Sequence, residues 1–301
     1  LFIFFFFHKS SPNNLNSFFW LSKETSIIIN NWFMMYFLSV VLIGTIYPIF
    51  LEVLSSQKIS VGPPFYHKLI IPFLIPFLMA MAIGPKLKWI KSNIVDKFYL
   101  VLFFAISIVL SFLIVKKFST NLLINTILVS SALYLFFITL RDFFIRKYSN
   151  ISQNIAHFGF SLLILSILLN NLFSSEIITN LKVGETFTSS KTKIVFKSIN
   201  QKQEKNYKSI VANFSIENIN EKIEDLSPEL RIYNQPNIVT SEADIKTTLL
   251  LDKFIVINIV QNQDYFNVRY QVKPFMLWIW ISVIVISFGG LLSFFKKEHE
   301  K

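Results

Sequence analysis

Long apolar runs alternate with short polar stretches along most of the chain, and one extended polar region breaks the pattern before the last of them. A helix needs about 20 predominantly apolar residues to cross the hydrocarbon core of a bilayer. Five successive runs are of that order: about Trp32 to Leu51, Leu69 to Gly84, Phe98 to Val115, Asn121 to Leu140 and Asn154 to Phe173. A sixth runs from about Pro274 to Phe295. The pattern predicts a polytopic α-helical membrane protein with about six complete transmembrane helices. The chain opens inside a shorter apolar run, Leu1 to Phe7, with no basic segment before it. That run is not a signal peptide. It reads as the tail of a further, partial helix, and the chain as a piece of a longer protein.

The polar region from Ser175 to Lys273 has a different period. In IVANFSIE, Ile210, Ala212, Phe214 and Ile216 alternate with Val211, Asn213, Ser215 and Glu217. In YFNVRYQV, Phe266, Val268, Tyr270 and Val272 alternate with Tyr265, Asn267, Arg269 and Gln271. LDKFIVINIV is apolar and β-branched. Period two with this composition predicts an inserted antiparallel β domain, a small sandwich or barrel. The expected division is residues 1–174 as helical membrane region with short loops, 175–273 as the β domain, and 274–301 as the final helix with a basic tail.

Composition fits that picture. Of 301 residues, 53% are hydrophobic and only 16% charged, against the roughly one quarter usual in soluble domains. With no cysteine, there is no disulfide, thiolate metal site or cysteine nucleophile. The net charge is +11. The β region is nearly neutral, so the excess lies around the spans, in short loops rather than on one face, which excludes a nucleic-acid surface. Lys9, Lys23, Lys86, Lys88, Lys91, Lys97, Arg141, Arg146, Lys147, Lys296, Lys297 and Lys301 fall in one set of alternate loops. Lys58, Lys68, Lys116 and Lys117 fall in the other. The basic-rich set is expected to be cytoplasmic. The β domain and the loop ISVGPPFYHK then face outward, the C-terminus lies inside, and Trp278 and Trp280 mark the outer interface.

The chemistry centres on His157, one turn into NIAHFGFSLLILSILLNNLF. A titratable group in lipid is costly without a partner, so an intramembrane histidine is a functional candidate. Imidazole is also a common haem-iron ligand. The plainer alternative is a histidine bonded to a neighbouring helix. Ser130, Ser131 or Asn154 are candidates to fix its second ring nitrogen. In VGPPFYHK, Gly62, Pro63 and Pro64 read as an extended, stiff turn outside the second span, with His67 a ligand or a surface histidine. Ser22 and Thr25 suit the cap of a short interfacial helix. GTIYP, Gly44 to Pro48, reads as a bend or as small-residue packing. Glu242 and Asp244 in SEADI are a general acid–base pair or a solvated face. His8 and His299 read as exposed. No Ser-His-Asp set, P-loop or dinucleotide fingerprint is present, so the catalytic residues remain unassigned.

Taken in order, SKET, NNW, LIGTIYP, ISVGPPFY, AHFGFSLLILSI, YNQPNIVTSEADI and VKPFMLWIWI resemble the carboxy-terminal part of the CcmF family, the haem lyase subunit of cytochrome c maturation. The resemblance covers essentially the whole chain. It implies an integral protein of the bacterial or mitochondrial inner membrane that attaches haem to CxxCH motifs of apocytochrome c on the outer face. It implies thioether bond formation that needs the amino-terminal half of CcmF. It implies a haem b held by His157 and a second axial histidine outside this chain, with quinol as an electron source. The implied partners are the holo-haem chaperone CcmE, the thiol-reducing CcmH and CcmI, and apocytochrome c. Gly62, Pro63, Pro64, Phe65 and Tyr66 form an implied substrate or partner loop. No ligand role carries onto His67. Two other classes compete: a transport or export subunit with His157 lining a substrate path, and a non-catalytic assembly scaffold.

Overall fold

The computed structural model describes residues 21–55, 58–89, 97–118, 121–145, 151–189, 192–218, 223–260 and 264–295. The expected partial helix at Leu1–Phe7, His8 and the tail with His299 lie outside them. Helix α1 spans Lys23–Ser55, α2 Pro63–Ile83, α3 Lys97–Phe118, α4 Leu122–Ile145, α5 Ile151–Phe173 and α6 Met276–Phe294. All six are long and apolar enough to cross a membrane. Between α5 and α6 the described residues form ten strands. Residues 1–161 with 292–301, and residues 162–291, are two compact units.

Helix ends differ from the apolar runs wherever polar residues are helical. Ser22 does cap α1: its Oγ accepts the Thr25 amide at 3.2 Å. The helix it starts is not a short interfacial one, because α1 continues through Asn31 to Ser55. At about 1.5 Å per residue such a helix outspans the hydrocarbon core by several turns. The GPPFY segment is also helical, not an extended turn. Gly62 is the extended N-cap of α2, and Pro63 and Pro64 take its first two positions, where a proline forfeits no intrahelical bond. α2 runs on through Pro72 and Pro76. In the turn preceding Pro72, the Tyr36 hydroxyl of α1 donates to the Leu69 carbonyl at 2.9 Å.

α4 is the most deeply covered of these helices, with Leu128 to Leu135 buried throughout. It packs on α2 and α3. Ser107 and Ser111 of α3 are fully buried and return their hydroxyls to carbonyls of their own helix, as small residues do at helix contacts in lipid. Gly44 of α1 is small for a direct reason: a Cβ there would lie 2.6 Å from the Tyr66 hydroxyl of α2.

The ten strands make two antiparallel sheets. β1 (Ser175–Leu181), β10 (Phe266–Pro274), β9 (Leu251–Ile259) and β8 (Asp244–Thr247) form one, in that order. The other orders β2 (Thr186–Thr188), β3 (Thr192–Gln203), β4 (Tyr207–Asn218), β6 (Glu229–Asn234) and β7 (Asn237–Glu242), with β5 (Glu224–Leu226) beside β4. The alternation sets the faces: Ala212, Phe214 and Ile216 from one sheet meet Ile255, Ile257, Val268 and Tyr270 from the other in a single core. A bulge between Phe196 and Ser198 places Lys197 outside the ladder, where it pairs with Asp225 at 2.7 Å. Buried Lys253 bonds Glu224 at 3.0 Å, and Lys246 reaches the other oxygen of that carboxylate at 3.3 Å, so one acid of β5 ties down β8 and β9.

Glu176 on β1 accepts from Gln271 at 2.5 Å and from Arg269, both on β10. Those bonds, Gln271 first, hold its carboxyl below the usual carboxylate range. A depressed carboxyl adds stability above its unfolded pKa and loses it as pH falls through the folded value. Glu176→Gln therefore lowers the thermal midpoint slightly at neutral pH, and the deficit closes on acidification through the carboxylate range. A deficit that persists or grows in acid contradicts this.

Candidate functional site

His157 sits on α5 between two bonds to α4. One turn before it, the Asn154 side-chain amide donates to the Asp142 carbonyl at 3.1 Å. One turn after it, the Ser161 and Thr139 hydroxyls meet at 2.9 Å. Positions 154, 157 and 161 recur at helical spacing, so one face of α5 carries all three. Phe158 packs on Phe136 and Phe143 of α4, at 5.7 and 6.1 Å between centroids. Ser130 and Ser131 return their hydroxyls to their own helix instead. Of the three candidates to support His157, Asn154 lies one turn away on the same helix, and its bond goes to the backbone of α4.

Below this bracket lies a feature absent from the sequence reading. Lys86, in the turn Gly84–Lys86 that closes α2, forms an ion pair with Asp142 of α4. Both side chains are buried, at 3% and 11% exposure. Arg141 lies flat over the Tyr99 ring, 3.6 Å from its centroid, and its Nη1 stands 3.8 Å from the second Asp142 oxygen. The apolar-run reading had put Lys86 and Arg141 in basic loops. Lys86 is instead neutralised inside the helical unit, because α4 extends to Ile145 and carries Asp142 inward. Acid and base lie 56 positions apart, so no local spacing signals the pair.

Asp142, Asn154 and His157 line a small void with Thr139 and Met81. His157 also lines a larger cleft among α1, α2 and α5, of about 340 Å³. Met34, Phe77, Met81 and Phe160 give it apolar walls, with Phe77 and Phe160 edge to face at 6.0 Å. Lys23, Ser26, Asn30 and Gln153 make one end polar. An imidazole lining a mostly apolar cleft could serve as a metal ligand to a flat apolar cofactor.

The remaining candidates are dispersed. Gly62, Pro63, Pro64, Phe65 and Tyr66 make the first turn of α2, with Tyr66 against Gly44. His67 is exposed. Asp244 accepts the Ser227 amide at 2.6 Å and Glu242 accepts from Thr240 at 3.0 Å, so these acids serve strand ends. Among the described residues no cluster of three or more metal-ligating side chains occurs.

Residues 172–274 match the family described as the CcmF C-terminal β-sandwich. A solved structure titled Cytochrome c Heme Lyase CcmF superposes with a TM-score of 0.70 over 91% of this chain, at 18% identity. The chain is similar to the carboxy-terminal part of CcmF. CcmF of Pseudomonas fluorescens is 26% identical over 292 residues, 92% of this chain. CcmF of Escherichia coli K12 is 24% identical over 298 residues, 96% of this chain. The chain spans 44% and 46% of these two CcmF proteins. It covers 46% of the solved CcmF chain. The shared architecture is that of an integral membrane protein with an antiparallel β-sandwich between its last two helices.

Proposed function

We propose that this chain is the carboxy-terminal part of a cytochrome c haem lyase, and that His157 supplies one axial ligand to a transmembrane haem b. The observation that carries the reading is the bracket around His157. Two interhelical bonds fix the α5 face it stands on, and His157 lines a mostly apolar cleft. Apolar side chains, Met34, Phe77, Met81 and Phe160, form the walls beside the imidazole. Asn154 and Ser161 hold the helix against α4, so the ligand does not drift when the cleft fills. A bound haem b supplies reversible one-electron chemistry there. The second axial histidine comes from the amino-terminal half of CcmF.

In this reading the β domain lies on the outer face, where haem is joined to the CxxCH motif of apocytochrome c. The holo-haem chaperone CcmE, the thiol-reducing CcmH and CcmI, and quinol as electron donor complete the system. The first turn of α2, Gly62 to Tyr66, is the surface offered to substrate or partner. The relatives' names and the residue pattern support this assignment.

The test is His157→Ala in the complete protein, with the reduced-minus-oxidised spectrum recorded in detergent. The six-coordinate b-type signal is expected to disappear while membrane insertion and yield stay unchanged. An undiminished bis-histidine spectrum in that variant removes His157 from the iron.

A further inference from the structure

The polar end of the His157 cleft has no role in holding iron, yet it is built with care. Lys23 begins α1, and its amide donates to the Lys88 carbonyl at 2.9 Å. Its ammonium stands 5.1 Å from the centre of the Trp89 ring. Both contacts anchor it to the segment just after α2. Ser26 approaches so closely that a Cβ on Gly84 would lie 2.3 Å from its hydroxyl. Asn30 lies one further turn along α1, and Gln153 lies one turn from His157 on α5. Antiparallel packing of α1 on α2 gathers these donors at one end, while Met34, Phe77 and Phe160 line the rest. A cation, a hydroxyl and two amides beside an apolar slot recognise a flat hydrophobic body that carries carboxylates on one edge.

We propose that Lys23, with Asn30 and Gln153, binds the propionate carboxylates of the haem in this cleft. The proposal rests on the reading of His157 as its ligand. Lys23, at the polar end of an otherwise apolar cleft, offers an anion a charged hydrogen bond and thereby fixes which edge of the porphyrin faces α1.

The complete protein is loaded with haem, and transfer to excess apomyoglobin is followed. Lys23→Met is expected to release haem about tenfold to a hundredfold faster, the range for losing one bond to a charged group. Lys23→Arg keeps the slow release. Haem dimethyl ester, which has no carboxylates, is released at one rate from both parent and Lys23→Met. Equal release of ordinary haem from parent and Lys23→Met overturns the proposal. So does a difference of the same size with the ester, which marks a structural effect. A parent protein that holds no haem at all removes the His157 reading and the proposal together, whereas a haem-loaded parent unaffected by Lys23 removes the proposal alone.

A second inference comes independently from the β8–β9 hairpin. Its tight turn is closed by the Thr248 amide on the Leu251 carbonyl at 3.0 Å, and its two central residues are Leu249 and Leu250. Turn tips ordinarily carry Gly, Asn, Asp or Pro. Here both leucines are exposed, at 72% and 59%. The Leu249 carbonyl accepts from the Trp278 indole of α6 at 2.9 Å, and the Leu250 carbonyl accepts the Phe275 amide at 2.8 Å. The tip is therefore tied to the first turn of a membrane-spanning helix, at the depth where indoles mark the headgroup boundary. We infer that Leu249 and Leu250 insert into the lipid interface and anchor the β domain to the bilayer surface. The chain has no cysteine, so a spin label at Leu249→Cys reports its depth in lipid vesicles against one at exposed Val239→Cys. Greater collision with oxygen than with a water-soluble nickel chelate at Leu249, reversed at Val239, is the expected result. Chelate access equal to that at Val239, or shielding from both reagents, overturns it.

Discussion

Replacing Asp142 by alanine is expected to destabilise the helical unit by about 3–5 kcal/mol, the cost of breaking a buried pair and leaving one charge behind. Lys86 then keeps an ammonium at 3% exposure without the Asp142 carboxylate, and Arg141 loses the same acid. The double variant Lys86→Met, Asp142→Leu is expected to recover most of the loss, because a buried pair gives little net stability over apolar side chains of similar volume. Asn154 bonds the Asp142 carbonyl rather than its carboxylate, so the single variant spares that link of the His157 bracket. Thermal unfolding of the detergent-solubilised protein measures both variants. A single variant within about 1 kcal/mol of the parent, the scale of a surface pair, shows that the ammonium finds water or another partner.

Phe214→Ala is expected to cost the β domain about 3–5 kcal/mol, the range for removing a large aromatic from a packed core. Its side chain is fully buried between the sheets and stacks on Phe196, with centroids 4.4 Å apart. Its neighbours Ile216 and Ala212 lie along the same strand, and Leu226 pairs with it from β5. None can refill the space, because each is held by its own place in the ladder. Limited proteolysis of the full chain reads the effect, with cleavage between Ser175 and Pro274 rising sharply. A variant as resistant as the parent shows that the two sheets close over the gap.

The two predictions differ in how far the sequence foretold them. Phe214 was visible in advance, since period-two alternation marks it as inward facing wherever the strand pairs. The six helices were visible too, because a bilayer demands apolar length and the chain supplies it. Their ends were less legible. Lys23 to Asn31, Pro63 to Lys68 and Arg141 to Ile145 are polar or proline-bearing, yet each is helical, because a cap, a first-turn proline or a buried partner satisfies what composition alone counts against a helix.

His157 was legible as a candidate because an imidazole in an apolar run is conspicuous whatever surrounds it. Its surroundings were not. Hydropathy and period along the chain establish a membrane protein with a β domain inserted before its last span, and place one histidine within the lipid-length runs. Helix packing settles that Asn154 rather than Ser130 or Ser131 bonds α5 to α4 beside that histidine, that Lys86 belongs to Asp142 rather than to a loop, and that Lys23 shares a cleft with His157. Periodicity and hydropathy act over neighbours along the chain, whereas each of these pairings joins residues from separate helices, and their distances exist only once the helices have packed.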